Sequence, residues 1–156
     1  TNDSIGSVSR LVDMKAPPFL LASTLNMVLA QRLARRSCDT CKKEITLPSD
    51  VVESIEEEIK LIPKIFLEEI QYKKPTFYKG TGCSMCGGSG FKGRVAIVEI
   101  IRFTDKLQEL IATGFKISEV MVELKKQNFI TLRQDGILKA LQGITALEEI
   151  FRVSQM

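Results

Sequence analysis

The chain has 156 residues, of which 44% are hydrophobic and 26% are charged, and these proportions are ordinary for a globular protein of one domain or two small lobes. Its net charge of +3 is too small to indicate a nucleic-acid partner by itself. The least polar stretch, residues 16–30, falls short of the ~20 residues that span a bilayer, and no signal-peptide pattern opens the chain. We therefore expect a soluble protein of the cytosolic type.

Helical periodicity dominates the first part of the chain. Asp3 or Ser4 can cap a first helix, and Pro18 suits the first turn of a second one. The second helix is predicted to present four apolar side chains to a core, namely Leu21, Leu25, Val28 and Leu29. Residues 31–36 then fit either a strand or the end of this helix.

All four cysteines fall into two pairs of identical spacing, Cys38 with Cys41 and Cys83 with Cys86. Two residues between paired cysteines let both sulfurs point at one metal ion, and two such pairs complete a structural zinc site. The sequence has no histidine, and four thiolates leave no coordination position for a catalytic water. The glycines after Cys86 permit the tight turns that a backbone needs around a metal. The spacing therefore predicts a closed, structural zinc site.

Three other uses of the cysteines stay open on spacing alone. A pair of disulfides requires an oxidising compartment, which the lack of a signal-peptide pattern disfavours. A redox dithiol of the thioredoxin kind needs only one of the two pairs and leaves the other unexplained. The thiols can also be inert.

The segment between the cysteine pairs, residues 42–82, is predicted to be an insertion. Ser49 precedes an acidic amphipathic helix, Pro63 starts a shorter helix, and residues 76–79 have an extended pattern. The clearest strand of the sequence, residues 94–101, comes after the second cysteine pair. If it pairs antiparallel with a strand over 31–37, the four cysteines meet at one end of that hairpin.

The remainder of the chain is predicted to be helical. Side chains that can cap helices recur before apolar-periodic stretches, and glycines come after those stretches. The predicted caps are Thr104 or Asp105, Ser118, Thr131 and Thr145. Short helices of this kind make a small bundle packed on the strands.

Several separate motifs, in the right order, resemble a known family: the hexameric ATPases that power type II secretion, type IV pilus assembly and competence machinery. Residues 1–3 resemble the segment directly after the histidine of the family's histidine box, and the two cysteine pairs with residues 90–94 resemble its zinc-bearing subdomain. Other similar segments are residues 10–14, 18–20, 30–33, 132–136, 143–145 and 148–149, with Lys139, Arg152 and Val153. The resemblance covers nearly the whole chain.

The resemblance implies an α/β fold, mostly helical, that forms the C-terminal end of a RecA-like ATPase domain. Residues 1–37 would be the last helices and strand of the ATPase core, 38–93 the tetracysteine zinc-binding subdomain, and 94–156 the closing strand with a small helical bundle. It also implies subunits of a homohexamer and an inner-membrane platform protein as partners, at the cytoplasmic face of the bacterial inner membrane. Nucleotide-proximal or coupling residues would be Thr1, Asn2, Asp3 and Arg32.

One departure from the family is an absence. The sequence contains no G-x-x-x-x-G-K-[ST] phosphate loop and no acidic Walker B strand. Without the backbone amides, lysine and Mg²⁺ ligand that phosphoryl transfer uses, this chain has no apparatus for the reaction. We therefore expect the chain to be the C-terminal part of a longer ATPase, inactive alone, with ATP and magnesium bound only in the full-length parent.

An alternative from another class is a stand-alone zinc-ribbon module that binds nucleic acid, because arginines and lysines flank the first cysteine pair. The small net charge, the absence of tryptophan and the acidic insertion weigh against it. A chaperone zinc module is rejected, because the C-x-x-C-x-G-x-G pattern at Cys83 occurs once and the first pair lacks the glycines.

Overall fold

The computed structural model describes residues 2–154, which form a mixed α/β fold of eight helices and four strands. The helices are α1 Ser4–Asp13, α2 Pro18–Thr24, α3 Ser49–Leu61, α4 Lys64–Glu69, α5 Asp105–Ala112, α6 Ile117–Lys126, α7 Leu132–Leu141 and α8 Leu147–Ser154. The strands are β1 Met27–Ser37, β2 Lys42–Ile45, β3 Phe77–Gly80 and β4 Phe91–Arg102. Thr1, which the resemblance places near the nucleotide, lies outside the described residues. Within residues 2–154, no helix combines the length and the apolar character needed to cross a membrane.

The four strands form two separate pairs. In the β1–β4 pair, Phe103 N–H donates to the Asn26 carbonyl oxygen (2.9 Å) at one end, and Cys38 N–H donates to the Gly90 carbonyl oxygen (2.9 Å) at the other. The start of β1 therefore meets the end of β4, and the predicted antiparallel pairing is confirmed. The pair β2–β3 is also antiparallel, with Lys42 opposite Gly80 and Ile45 opposite Phe77.

The chain divides into two compact units, and each long strand contributes to both. Unit 1 comprises residues 1–31 and 99–129, and unit 2 comprises residues 32–98 and 130–156. In unit 1, helix α2 packs against α5, and α5 packs against α6. The buried core of unit 1 consists of Val8, Leu21, Ile101, Phe103, Leu107, Leu110, Ile111, Phe115, Val120 and Leu124.

In unit 2, helix α7 is the central element, because it packs against α8, β3 and α3. Its own buried side chains include Ile137 and Leu138, and Gly136 lies so close to Ile150 of α8 that an added Cβ would come within 2.7 Å of the isoleucine side chain. The Asp135 carboxylate accepts a 2.7 Å hydrogen bond from Val98 N–H of β4 and a further bond from Lys139. These contacts fix α7 against β4 and α8.

The end of the second helix was predicted wrongly. The apolar pattern favoured a helix through Leu29, but α2 ends at Thr24 and Leu25 is extended. The Asn26 carbonyl is committed to pairing with Phe103, so Val28 and Leu29 lie in β1 instead. Leu29 is exposed, which contradicts its predicted place in a core. Strand pairing with a distant segment overrides helical periodicity here.

The helix caps were predicted with mixed success. Asp3, Thr104 and Thr131 accept hydrogen bonds from the first turns of α1, α5 and α7, as predicted. Ser118, by contrast, lies inside α6, whose N-cap is Lys116. Thr145 does not serve as the expected cap: its hydroxyl donates to the Arg35 carbonyl oxygen (2.8 Å), and its backbone bridges to Arg36. Strand β2 had no predicted counterpart.

Candidate metal centre

The four cysteine sulfurs lie together in unit 2, all within 4.8 Å of one another. The Sγ–Sγ distances are 3.8 Å for Cys38–Cys83, 3.9 Å for Cys41–Cys86 and 3.7 Å for Cys83–Cys86. All four are free thiols, so the disulfide alternative does not describe this cluster. Cys38 and Cys41 are buried and the second pair is partly buried.

The first knuckle, residues 38–41, joins β1 to β2. Cys38 directly succeeds the last residue of β1, and its carbonyl oxygen accepts hydrogen bonds from Cys41 N–H (3.2 Å) and Lys42 N–H (2.9 Å). This tight turn brings Cys41 back beside Cys38. Thr81 then bonds twice to the Cys41 carbonyl oxygen, through its N–H (3.1 Å) and its hydroxyl (3.0 Å), which connects the first knuckle to the second.

The second knuckle, residues 83–86, contains a short 3-10 turn over Ser84–Cys86 and continues through glycines into β4. Gly90 has φ +76°. An added Cβ at Gly80 would lie 2.0 Å from the Gly90 carbonyl oxygen, so the two backbones approach more closely than a side chain at residue 80 allows. The glycines of this segment therefore permit both the turn and the close approach of β3 to the knuckle.

The arrangement of the sulfurs fits a tetrahedral metal ion. A tetrahedron with metal–sulfur bonds of about 2.3 Å has sulfur–sulfur edges of about 3.8 Å, which agrees with the three Sγ–Sγ distances of the cluster. Four thiolates at the corners complete a four-coordinate shell. The site can therefore hold a metal as a structural cross-link, with the ligand number typical of closed sites.

Backbone amides around Cys86 favour its ionised form. Burial alone would raise the pKa of Cys86, but hydrogen bonds from the N–H groups of Cys83 (3.2 Å) and Gly90 (3.3 Å) to its sulfur outweigh burial and lower the pKa to about 6. Burial raises the pKa of Cys41 to about 11. Cys86 is thus biased toward the thiolate, the form that binds metals.

The knuckles are attached to the C-terminal helices by contacts that the sequence did not predict. Lys42 Nζ donates to the Gly143 carbonyl oxygen (3.0 Å), and Ser37 N–H donates to the Ile144 carbonyl oxygen (2.9 Å). Gly143 and Ile144 belong to the turn between α7 and α8. This turn is therefore fastened to both ends of the first knuckle.

A buried carboxylate on α8 holds the strand that leads to Cys38. The Glu149 side chain is 1% exposed and forms ion pairs with Arg35 (2.5 Å) and Arg152 (2.7 Å). It also accepts a 3.0 Å hydrogen bond from Arg35 N–H. The Arg35 guanidinium lies 4.1 Å from the centre of the Phe91 ring at the start of β4. Glu149 therefore connects α8 to both strands beside the knuckles.

Three of the bases around the first knuckle are paired with acids. Asp39 accepts from Arg36 (3.2 Å) and from Lys42 (2.7 Å), and Arg35 pairs with Glu149. A surface that binds nucleic acid needs bases available to phosphates. These pairs do not favour the nucleic-acid alternative.

The other predicted site residues within the described part of the chain are not members of the cysteine cluster. Asn2 is exposed and Asp3 caps α1, where its Oδ1 accepts a 2.5 Å hydrogen bond from Gly6 N–H in unit 1. Arg32 is exposed on β1 in unit 2. The cysteine cluster is therefore built from the predicted metal ligands alone.

Comparison with known proteins gives a consistent match. The model of the family described as "Type II/IV secretion system protein" matches residues 1–152. The type IV pilus assembly ATPase PilB of Thermus thermophilus is 37% identical over 150 residues, covering 96% of this chain and 16% of that protein. PilB of Myxococcus xanthus is 39% identical, covering 96% and 25%, and the type II secretion system ATPase E of Vibrio cholerae is 38% identical, covering 99% and 28%. The chain thus spans less than a third of the length of these relatives.

Proposed function

The chain belongs to the type II/IV secretion system protein family, and we propose that it is the C-terminal, zinc-stapled part of a motor that hydrolyses ATP to power type II protein secretion or type IV pilus assembly. The main support for this proposal is that relatives named as type IV pilus assembly or type II secretion ATPases match nearly the whole chain.

We propose zinc as the metal, held by Cys38, Cys41, Cys83 and Cys86. Thiolates are soft ligands, and a tetrahedral four-sulfur site selects zinc or iron–sulfur chemistry. Zinc would supply a cross-link between the two knuckles. Chain residues provide the rest: amides that orient Cys86, and the Thr81 bonds that connect the knuckles.

We expect one zinc per chain after purification under reducing conditions, because four sulfurs at tetrahedral spacing form a single complete site. The measurement is metal analysis by mass spectrometry with a parallel thiol titration. Cobalt substitution should give the absorption of a tetrahedral four-thiolate site. Iron in place of zinc, or a content well below one metal per chain, would contradict the assignment.

Within the motor, we propose that residues 1–37 end a RecA-like ATPase core, that 38–93 form the zinc-binding subdomain, and that 94–156 close the core and form the C-terminal helical subdomain. The role of this part would be mechanical. It would support contacts between subunits of a homohexamer and offer a surface to the inner-membrane platform protein, at the cytoplasmic face of that membrane. ATP and magnesium would be bound by residues of the longer protein.

A substitution at Arg32 tests whether this residue is a coupling residue, one that lies on a surface linking ATP hydrolysis to the rest of the hexamer. We expect Arg32→Lys in the full-length ATPase to lose at least tenfold in ATP turnover, because lysine cannot reproduce the bidentate fork of arginine. The matched control is Arg102→Lys, an exposed arginine on β4. The isolated chain should show no turnover above a blank.

The outcome of this test is read together with thermal stability. Wild-type turnover in Arg32→Lys would eliminate the coupling role, since an exposed ion pair contributes only ~0–1 kcal/mol and tolerates lysine. Equal losses of turnover and stability would assign Arg32 to the structure. No ATP turnover in the wild-type full-length protein would overturn the proposed motor function itself.

A further inference from the structure

A carboxylate is buried on β4 where the pattern of the strand calls for an apolar side chain. Ile97 and Ile101 are 0% and 1% exposed on the inward face of β4, and Glu99 stands between them at 3%. Alternation predicts valine or isoleucine at such a position. A buried carboxylate costs free energy unless hydrogen bonds compensate it, so the partners of Glu99 explain its presence.

Glu99 binds the first residue of α1. Its Oε1 accepts a 2.9 Å hydrogen bond from Ser4 N–H and a second, short one from the Ser4 hydroxyl. Ser4 is itself completely buried. Both residues belong to unit 1, although 95 positions separate them in sequence. The bond therefore fixes the helix start to the strand.

Two carboxylates share the N-terminus of α1. Asp3 accepts from Gly6 N–H, which is the local cap, and Glu99 takes the N–H of Ser4. The first N–H groups of a helix have no partner within the helix, and a carboxylate there also interacts favourably with the helix dipole. Asp3 satisfies the Gly6 N–H and Glu99 the Ser4 N–H, so Glu99 fixes the first residue of the helix in addition to stabilising the helix start.

We propose that Glu99 is a positioning residue for the segment Asn2–Asp3, which it holds against β4 through Ser4 so that this segment meets the nucleotide in a fixed place. The inference rests on the proposed function and on the family resemblance, which implies that Asn2 and Asp3 lie near the nucleotide. Asn2 and Asp3 directly precede the anchored residue, so a shift of Ser4 moves both.

The test uses a substitution that removes the acceptor and compares its effect on the KM with its effect on stability. Glu99→Val restores the apolar alternation of β4, but it leaves the buried N–H and hydroxyl of Ser4 without their acceptor, so some loss of stability is expected. It removes both bonds to Ser4. In the full-length ATPase we expect the KM for ATP to rise at least tenfold while kcat of the folded protein stays within threefold. Glu99→Gln, which keeps an acceptor oxygen for Ser4, should leave the KM at about the wild-type value.

Two further variants provide a milder substitution at the same contact and a control elsewhere in unit 1. Ser4→Ala removes the hydroxyl bond only and should raise the KM two- to threefold, which serves if Glu99→Val does not fold. Glu109→Gln is the matched control, because Glu109 is in unit 1 with a side chain that is 62% exposed. In the isolated chain, Glu99→Val should also speed hydrogen exchange at Ser4, but not at the last turn of α1.

Three results would count against the proposal. A KM within twofold of wild type in folded Glu99→Val would overturn it, as would a fall in kcat alone. Unchanged exchange at Ser4 would show that Glu99 does not anchor the helix start. Absence of turnover in the wild-type full-length protein would instead overturn the proposed function, and the inference would fall with it.

Discussion

Cys86→Ala is expected to unfold a large part of unit 2 while unit 1 keeps its folded core. Structural zinc contributes an apparent ~10–16 kcal/mol in small zinc-binding peptides at neutral pH, which is as large as the whole stability of an ordinary domain. Alanine removes one of four ligands and the sulfur that accepts from Cys83 and Gly90 N–H groups. The loss of stability should therefore extend from the knuckles to the elements of unit 2 that are bonded to them.

The hydrogen bonds of the first knuckle indicate which elements lose stability with it. The sequence alone predicts a larger loss of stability in residues 42–82 than in the C-terminal helices, which have apolar faces of their own. The structure indicates that α7 and α8 are affected as well, because Lys42 and Ser37 bond to the α7–α8 turn on either side of the first knuckle. Residues 42–82 and helices α7 and α8 should both lose protection, and α5 and α6 of unit 1 should keep it.

Hydrogen exchange monitored by mass spectrometry measures this pattern directly. The matched control is Met85→Ala, because Met85 lies in the same 3-10 turn and is 57% exposed. The control should keep wild-type metal content and protection. A uniform loss of protection across both units in Cys86→Ala, or no loss at all, would contradict the expectation.

The cysteine cluster was predictable because its sequence signal is short and depends on residue type and spacing alone. Two C-x-x-C pairs need only a hairpin to bring them together, and the strand at residues 94–101 is readable from its β-branched side chains. The caps at Asp3, Thr104 and Thr131 were readable for the same reason, since each bonds within its own first turn.

The contacts that fix these parts were not predictable, because their partners are far apart in sequence. Nothing near Thr145 indicates that its hydroxyl donates to Arg35, 110 residues away. Glu148 and Glu149 look alike as neighbouring acids at a helix start, yet one is exposed and the other is buried. The start of β1 was missed because Phe103 supplies the bond that ends the helical pattern at Asn26.

Glu149→Gln is expected to lower the free energy of unfolding of the chain by about 2–3 kcal/mol at pH 7, because it leaves Arg35 and Arg152 without their shared carboxylate. Both guanidiniums are about half exposed, so water offsets part of the loss and the figure stays below that for a fully buried pair. Metal content should stay at the wild-type level, since the cysteines keep their own contacts. The measurement is urea unfolding of both proteins.

The pH dependence of this difference has a definite sign. Burial would raise the pKa of Glu149, but hydrogen bonds from Arg152 and Arg35 outweigh burial and hold the pKa far below the ordinary glutamate value. A carboxylate with a lowered pKa in the folded state stabilises the fold above its unfolded pKa, about 4.3, and loses that effect as the pH falls toward the folded pKa. The difference between wild type and Glu149→Gln should therefore be constant from pH 7 to about pH 5 and shrink below it.

Glu148→Gln is the matched control for this prediction. Glu148 is the preceding residue, pairs with Lys79 at 2.7 Å, and is 49% exposed. An exposed pair contributes about 0–1 kcal/mol, so Glu148→Gln should change stability little at any pH. Proton uptake by the cysteines at low pH affects both variants alike, so their difference isolates Glu149. Equal effects of the two substitutions at pH 7 would mean that Glu149 does not connect α8 to β1, and a difference that grows toward pH 3 would contradict the sign.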